Sequence, residues 1–142
     1  MNWLLDTNVV SEWVKPRPDA RVARWLSEAD EDSVYLSVIT FAELRQGVEH
    51  MEPGARRQAL ESWLDTDLLV RFEGRILGVD LPIANAWGAL VTQSRRTGTN
   101  LGVLDAFFAA TAQARGLTLV TRNTKHFAHL GIALVNPWNL VG

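Results

Sequence analysis

Residues 3–10 of this chain are Trp3-Leu4-Leu5-Asp6-Thr7-Asn8-Val9-Val10. The apolar run Trp3–Leu5 predicts a short buried strand that ends at Asp6, and residues 8–14 predict a short helix directly after it. A buried strand that passes straight into a helix is typical of α/β proteins, in which helices cover both faces of a parallel sheet. Residues 3–10 therefore predict an α/β fold.

The same alternation continues along the chain. Four further apolar runs predict strands over residues 34–38, 75–79, 117–121 and 133–135. Helical periodicity predicts helices over residues 19–28, 40–49, 53–68, 82–97 and 104–115. Short strands that alternate with helices predict one parallel sheet with helices on both faces.

Composition limits the class of protein. A length of 142 residues predicts one domain over residues 1–142, and 47% hydrophobic residues with 21% charged residues is ordinary for a globular protein. The absence of Cys excludes disulfides, thiolate metal sites and cysteine nucleophiles. The net charge of −2 neither requires nor excludes a nucleic-acid partner. No signal peptide or apolar membrane span is visible, so we expect a cytoplasmic protein.

Three acidic residues stand in apolar surroundings. Asp6 follows a predicted strand, Glu43 lies between Ala42 and Leu44, and Asp105 lies in an apolar helical stretch. Each has a structural alternative. Asp6 or Asp105 could cap a helix, and Glu43, three residues after Thr40, could complete a capping box.

A shared chemical role explains all three acids at once. Ligands bind at the carboxyl ends of the strands in open α/β sheets, and the three acids could converge there. Mg²⁺ and Mn²⁺ prefer carboxylate oxygens, and a carboxylate-held ion supports phosphodiester cleavage. The three histidines, His50, His126 and His129, have no zinc-ligand spacing, so we expect surface or structural roles for them.

Several segments together resemble one known family. They are residues 4–12 (LLDTNVVSE), 37–47 (SVITFAELRQG), 104–106 (LDA) with 109–112 (AATA), 119–123 (LVTRN) and 136–138 (NPW). In this order and spacing they are similar to the PIN-domain ribonucleases, and specifically to the VapC toxins of bacterial type II toxin–antitoxin pairs. The resemblance covers nearly the whole chain.

The resemblance implies a three-layer α/β/α fold with about five parallel strands and a Mg²⁺- or Mn²⁺-dependent endonuclease acting on RNA. It implies catalytic roles for Asp6, Glu43 and Asp105, with Asp6 and Asp105 as metal ligands. The supporting residues around them would be Thr7, Asn8, Thr121 and Asn123.

The same resemblance implies a cognate antitoxin whose basic side chain can enter the acidic pocket, and a homodimer. The family often has a fourth acid after its fourth strand. Here Asn123 or His126 stands in that region, so one negative charge is missing.

Two other functions remain open from the sequence. A PIN-like module could bind RNA or a protein without cutting it, and the neutral Asn123 motivates this alternative. A phospho-acceptor receiver domain shares the sheet topology, but it needs a pair of adjacent acids near the first strand. Asp6 is a single acid there, which argues against a receiver domain. Trp13, Trp63 and Trp87 are either core residues or partner contacts.

Overall fold

The computed structural model describes residues 1–140 and has a central sheet of five parallel strands. The last two residues of the predicted domain lie outside this range. The strands are β1 (Trp3–Leu5), β2 (Val34–Ser37), β3 (Ile76–Leu77), β4 (Thr118–Val120) and β5 (Leu134–Val135). Their order across the sheet is β3-β2-β1-β4-β5, and every neighbouring pair is parallel. The predicted α/β class and the number of strands are confirmed.

The central strand β1 divides the apolar core into two layers. Successive side chains of a strand point to opposite faces. Accordingly, Leu4 packs with Ile83 and Phe108 on one face, and Leu5 packs with Val22 and Phe72 on the other. Both leucines have no solvent exposure. Because each face of the sheet has its own buried cluster, the expected three-layer arrangement is confirmed.

Eight α-helices surround the sheet within the described residues. They are α1 (Thr7–Val10), α2 (Ala20–Glu28), α3 (Val38–Glu49), α4 (Ala55–Ser62), α5 (Leu68–Arg71), α6 (Leu81–Arg96), α7 (Val103–Arg115) and α8 (Thr124–Phe127). A π-helical turn, Trp63–Asp67, joins α4 to α5, so this helical segment runs past the predicted end at residue 68. No helix within residues 1–140 combines the length and apolar composition that crossing a membrane requires.

The start of α3 differs from the prediction. The helix begins at Val38 and not at Thr40, because the Ser37 hydroxyl accepts a hydrogen bond from the Ile39 amide at 3.0 Å and caps it. Thr40 therefore lies inside the helix, and Glu43 lies in the second turn. The capping-box alternative for Glu43 is wrong, because the N-cap is Ser37, the residue three positions after it is Thr40, and Glu43 Oε1 instead accepts from the Thr7 hydroxyl.

The structure also contains one helix that was not predicted, and it shows where Trp13 lies. The short helix α8 was not predicted, because four residues give too little periodicity to detect. Trp13 is half-buried against Phe72, with ring centroids 5.7 Å apart, so it belongs to the core rather than to a free partner surface.

Candidate active site

The site begins where the adjacent strands β1 and β4 end. The Asp6 amide donates to the Val120 carbonyl at 2.9 Å, and this bond extends the pairing of the two strands by one residue. The backbone then leaves the sheet on both sides, so the side chains of Asp6 and Thr121 meet at the carboxyl edge. This is the edge at which open α/β sheets bind their ligands.

The Asp6 carboxylate is buried and hydrogen-bonded on both oxygens. Its Oδ1 accepts from the Thr7 amide at 2.7 Å, which makes Asp6 the N-cap of α1. Its Oδ2 accepts from the fully buried Thr121 hydroxyl at 2.7 Å. The capping alternative for Asp6 is thus confirmed, and it does not exclude a second role, because only one oxygen is used for the cap.

Burial raises the pKa of Asp6 from 3.8 to about 6. The hydrogen bonds from Thr121 and Thr7 lower this pKa, while the negative charges of Asp105 and Glu43 raise it further. Asp6 is only 5% exposed, so its charge is poorly solvated. A cation placed here would relieve both the lost solvation and the repulsion from the other two acids.

Glu43 is linked through Thr7 to the start of α1. The Thr7 hydroxyl donates to Glu43 Oε1 at 2.7 Å and lies 3.0 Å from the Thr40 hydroxyl. Since the single proton of Thr7 goes to Glu43, Thr40 must donate to Thr7. These hydrogen bonds between α1 and α3 hold the Glu43 carboxylate near the start of α1, where Asp6 is the N-cap.

Asp105 lies in the first turn of α7 and contacts a histidine. Its Oδ2 is 3.0 Å from His126 Nδ1. The N-cap of α7 is Gly102, and no side chain caps this helix, so the capping alternative for Asp105 is wrong. His126, for which a surface or structural role was expected, is exposed and also contacts a candidate catalytic acid.

Asn8 contacts the site through its side chain, whereas Asn123 contacts it through its backbone amide. Asn8 Nδ2 lies 3.5 Å from Asp6 Oδ2, and Asn8 Oδ1 accepts from the Arg122 amide at 3.4 Å, so both contacts are long. The Asn123 amide donates to the Thr121 hydroxyl at 3.1 Å, which leaves the proton of that hydroxyl for Asp6. The Asn123 side chain itself is exposed.

The structure thus joins Asp6 to Thr7, Asn8 and Thr121 directly, and to Glu43 through Thr7. Asp105 acts on Asp6 through its charge. Within residues 1–140, however, no group of three or more His, Asp or Glu side chains is arranged so that it could hold a metal ion. The donors themselves fit Mg²⁺ or Mn²⁺, because they are carboxylate oxygens beside a poorly solvated charge.

A cleft of about 390 Å³ opens beside Glu43. It runs from Thr7 and Glu43, between α3 and α4, to Met51 and Trp63. The walls are mostly apolar, and Lys15 and Arg56 also line it. The candidate site is therefore continuous with a mostly apolar groove. Trp63 lines this groove, whereas Trp87 stacks on Phe107 with ring centroids 5.3 Å apart.

Comparison with known proteins places this arrangement in a family. Residues 3–133 match the model of the PIN domain. The toxin FitB of Neisseria gonorrhoeae is 40% identical over 136 residues, which are 96% of this chain and 98% of FitB. The VapC ribonuclease Y4jK of Sinorhizobium fredii is 38% identical over 135 residues, which are 95% of this chain and 96% of that protein.

Solved structures agree with the sequence relatives. A crystal structure of FitAcB from Neisseria gonorrhoeae has a TM-score of 0.92 at 40% identity, covering 97% of this chain and 99% of that chain. A toxin–antitoxin complex from Klebsiella pneumoniae has a TM-score of 0.73 at 26% identity, covering 98% of this chain and all of that chain (100%). This chain therefore belongs to the PIN-domain family and, within it, to the VapC-type toxins.

Proposed function

We propose that this protein is a metal-dependent endoribonuclease that acts as the toxin of a toxin–antitoxin pair. It would hydrolyse RNA phosphodiester bonds at a Mg²⁺ or Mn²⁺ ion held by Asp6 and Asp105. The observation that carries the proposal is the Asp6 carboxylate, buried at the sheet edge with its pKa raised to about 6 by burial and, further, by two neighbouring acids. The similarity to proteins named toxin and VapC ribonuclease supports the reaction class.

The hydrogen bonds of Asp6 and Glu43 favour a different role for each of them. Asp6 is oriented by Thr7 and Thr121, so one carboxylate geometry is fixed before anything binds. Glu43 is held through Oε1 by Thr7, which leaves Oε2 to accept a proton from the attacking water. When bound, the metal ion would neutralise phosphate charge and activate that water.

The direct test is cleavage of an end-labelled RNA by the purified protein with Mg²⁺, with Mn²⁺ and with EDTA. We expect cleavage only with a metal, and a loss of at least about 100-fold in Asp6→Asn and Asp105→Asn, the size expected when a preorganised charged group is removed. Asp32→Asn, which changes an exposed acid outside the site, is the matched control. Full activity of Asp6→Asn or Asp105→Asn rules out the proposed site.

We also propose that the cognate antitoxin occupies the cleft next to Glu43. Its apolar walls suit an apolar peptide face, and an antitoxin Arg at its inner end would meet Glu43, whose charge acts on the proposed metal ligand Asp6. Arg and Mg²⁺ should then compete. Calorimetric titration of the complex with Mg²⁺ should show weaker binding than titration of the free toxin. Equal affinity would contradict a shared site. The homodimer that the resemblance implies stays a prediction.

A second candidate function is a PIN-like module that binds RNA or protein without cutting it. The observation that favours it is that no three His, Asp or Glu side chains of residues 1–140 are arranged to hold an ion. Calorimetry separates the two functions. A module would bind RNA while binding neither Mg²⁺ nor Mn²⁺, whereas the nuclease needs at least one of these ions.

A further inference from the structure

The contact between His126 and Asp105 is positioned by the fold. The Asn123 amide bonds the Thr121 hydroxyl at the start of α8, and Phe127 at its end is fully buried. His126 lies between these two anchors, so its backbone is held beside α7. Its side chain remains 57% exposed, and that of Asp105 29% exposed. Both groups are therefore open to a ligand from solvent.

The pair offers one oxygen and one nitrogen donor at the same place. Two atoms on adjacent corners of an octahedral ion with bonds of about 2.1 Å lie roughly 3.0 Å apart. Nδ1 of His126 and Oδ2 of Asp105 are 3.0 Å apart, a distance that suits a shared ion as well as a hydrogen bond. Imidazole nitrogen is a good ligand for transition metals, whereas Mg²⁺ prefers oxygen.

We propose that His126 is a ligand, together with Asp105, of the ion at this site, and that it makes the site selective for Mn²⁺ over Mg²⁺. This inference rests on the proposed metal-dependent function. It assigns His126 a place in the site that an acid would otherwise fill, and it explains how the site functions with Asn123 as a neutral neighbour. The competing explanation is that His126 only hydrogen-bonds Asp105 and never touches the ion.

Pulsed electron paramagnetic resonance of Mn²⁺ bound to the whole protein separates the two explanations. A directly bound imidazole nitrogen modulates the Mn²⁺ spin echo, and a histidine that only supports Asp105 does not. We expect nitrogen modulation in the wild type and its loss in His126→Asn, which retains a hydrogen-bond donor. His50→Asn, which changes an exposed histidine at the end of α3, should keep the modulation.

Metal affinity gives a second readout. Calorimetry should show that His126→Asn weakens Mn²⁺ binding by about tenfold or more, at least the effect of losing a group that merely orients a ligand. Mg²⁺ binding should change by less than about threefold, because nitrogen contributes little to it. His126→Asp should restore a hard donor and improve Mg²⁺ binding.

The outcomes are distinct. Bound Mn²⁺ without nitrogen modulation in the wild type overturns the role of His126 but leaves the proposed function intact. Equal losses of Mn²⁺ and Mg²⁺ affinity in His126→Asn also overturn it. If the wild type binds neither ion, the metal-dependent function and the inference fall together.

Discussion

Replacing Asp6 by asparagine should make the metal-free protein more stable at neutral pH while removing its activity. The reason is the cost of keeping a charged Asp6 buried. The pKa of Asp6 is raised from 3.8 to about 6, and at about 1.4 kcal/mol per unit this amounts to about 3 kcal/mol. The side chain is 5% exposed, so solvent screens little of this cost.

The direction in which the free energy of unfolding changes with pH depends on whether the folded or the unfolded chain holds the Asp6 proton. Below about pH 4, Asp6 is protonated in both the folded and the unfolded chain, and the burial cost is absent. Between about pH 4 and pH 6 the unfolded chain releases its proton while the folded chain retains it, so the free energy of unfolding falls as pH rises. Above about pH 6 the full cost of about 3 kcal/mol remains.

Asn removes this cost at the expense of one hydrogen bond. The amide oxygen can still accept from the Thr7 amide, but the amide nitrogen cannot accept from the Thr121 hydroxyl as Asp6 Oδ2 does. We assign about 1 kcal/mol to that loss. The net gain in the free energy of unfolding at pH 8 is therefore about 2 kcal/mol.

Urea unfolding of wild type and Asp6→Asn in EDTA at pH 4, 6 and 8 measures this difference, and titrating groups that do not interact with Asp6 cancel in the comparison. We expect the difference to shift by about 3 kcal/mol towards the variant between pH 4 and pH 8. Asp32→Asn, at an exposed position, should show a difference within about 0.5 kcal/mol. A pH-independent difference for Asp6→Asn would mean that the folded protein does not keep a charged Asp6 carboxylate buried.

Three further substitutions test the supporting contacts. Thr121→Val removes the buried hydroxyl that bonds Asp6, so the pKa of Asp6, followed by NMR of its carboxyl carbon, should rise further; an unchanged pKa would contradict the bond. Ser37→Ala should lower the free energy of unfolding in urea by about 1 kcal/mol by removing the cap of α3, whereas Ser62→Ala inside a helical segment should change it by less than half of that. Phe127→Ala should lower the same free energy by about 3–5 kcal/mol because the ring is fully buried, and a loss below about 1 kcal/mol would mean that α8 does not anchor the site.

The conflict between stability and function has a general cause at this site. A carboxylate that awaits a cation must be ionised in a place where water cannot solvate it well. Thr7 and Thr121 reduce the cost, but the other two acids increase it. Binding a metal ion or a basic partner side chain would stabilise the folded protein by relieving the same repulsion.

The α/β class could be predicted from the sequence alone, and so could the location of Asp6 at a strand end and of Glu43 and Asp105 in helices. Apolar runs of strand length alternate with helical patterns. This periodicity is a local property of the sequence, so it can be read without knowing how the elements pack. The pattern of residues 3–10 predicted both β1 and a short helix after it. Because Asp6 lies between these two elements, it is located at the end of a strand. The order of the motifs added the family resemblance.

The side chains that contact one another could be identified only from the packed fold. The helix α3 begins at Val38 because the Ser37 hydroxyl caps the Ile39 amide. From the sequence, Thr40 was an equally good N-cap residue. The bond between Thr121 and Asp6 joins residues 115 positions apart, and the contact between His126 and Asp105 joins two helices. Such contacts depend on how strands and helices pack. Local sequence patterns do not show which residues that are far apart in the chain come into contact.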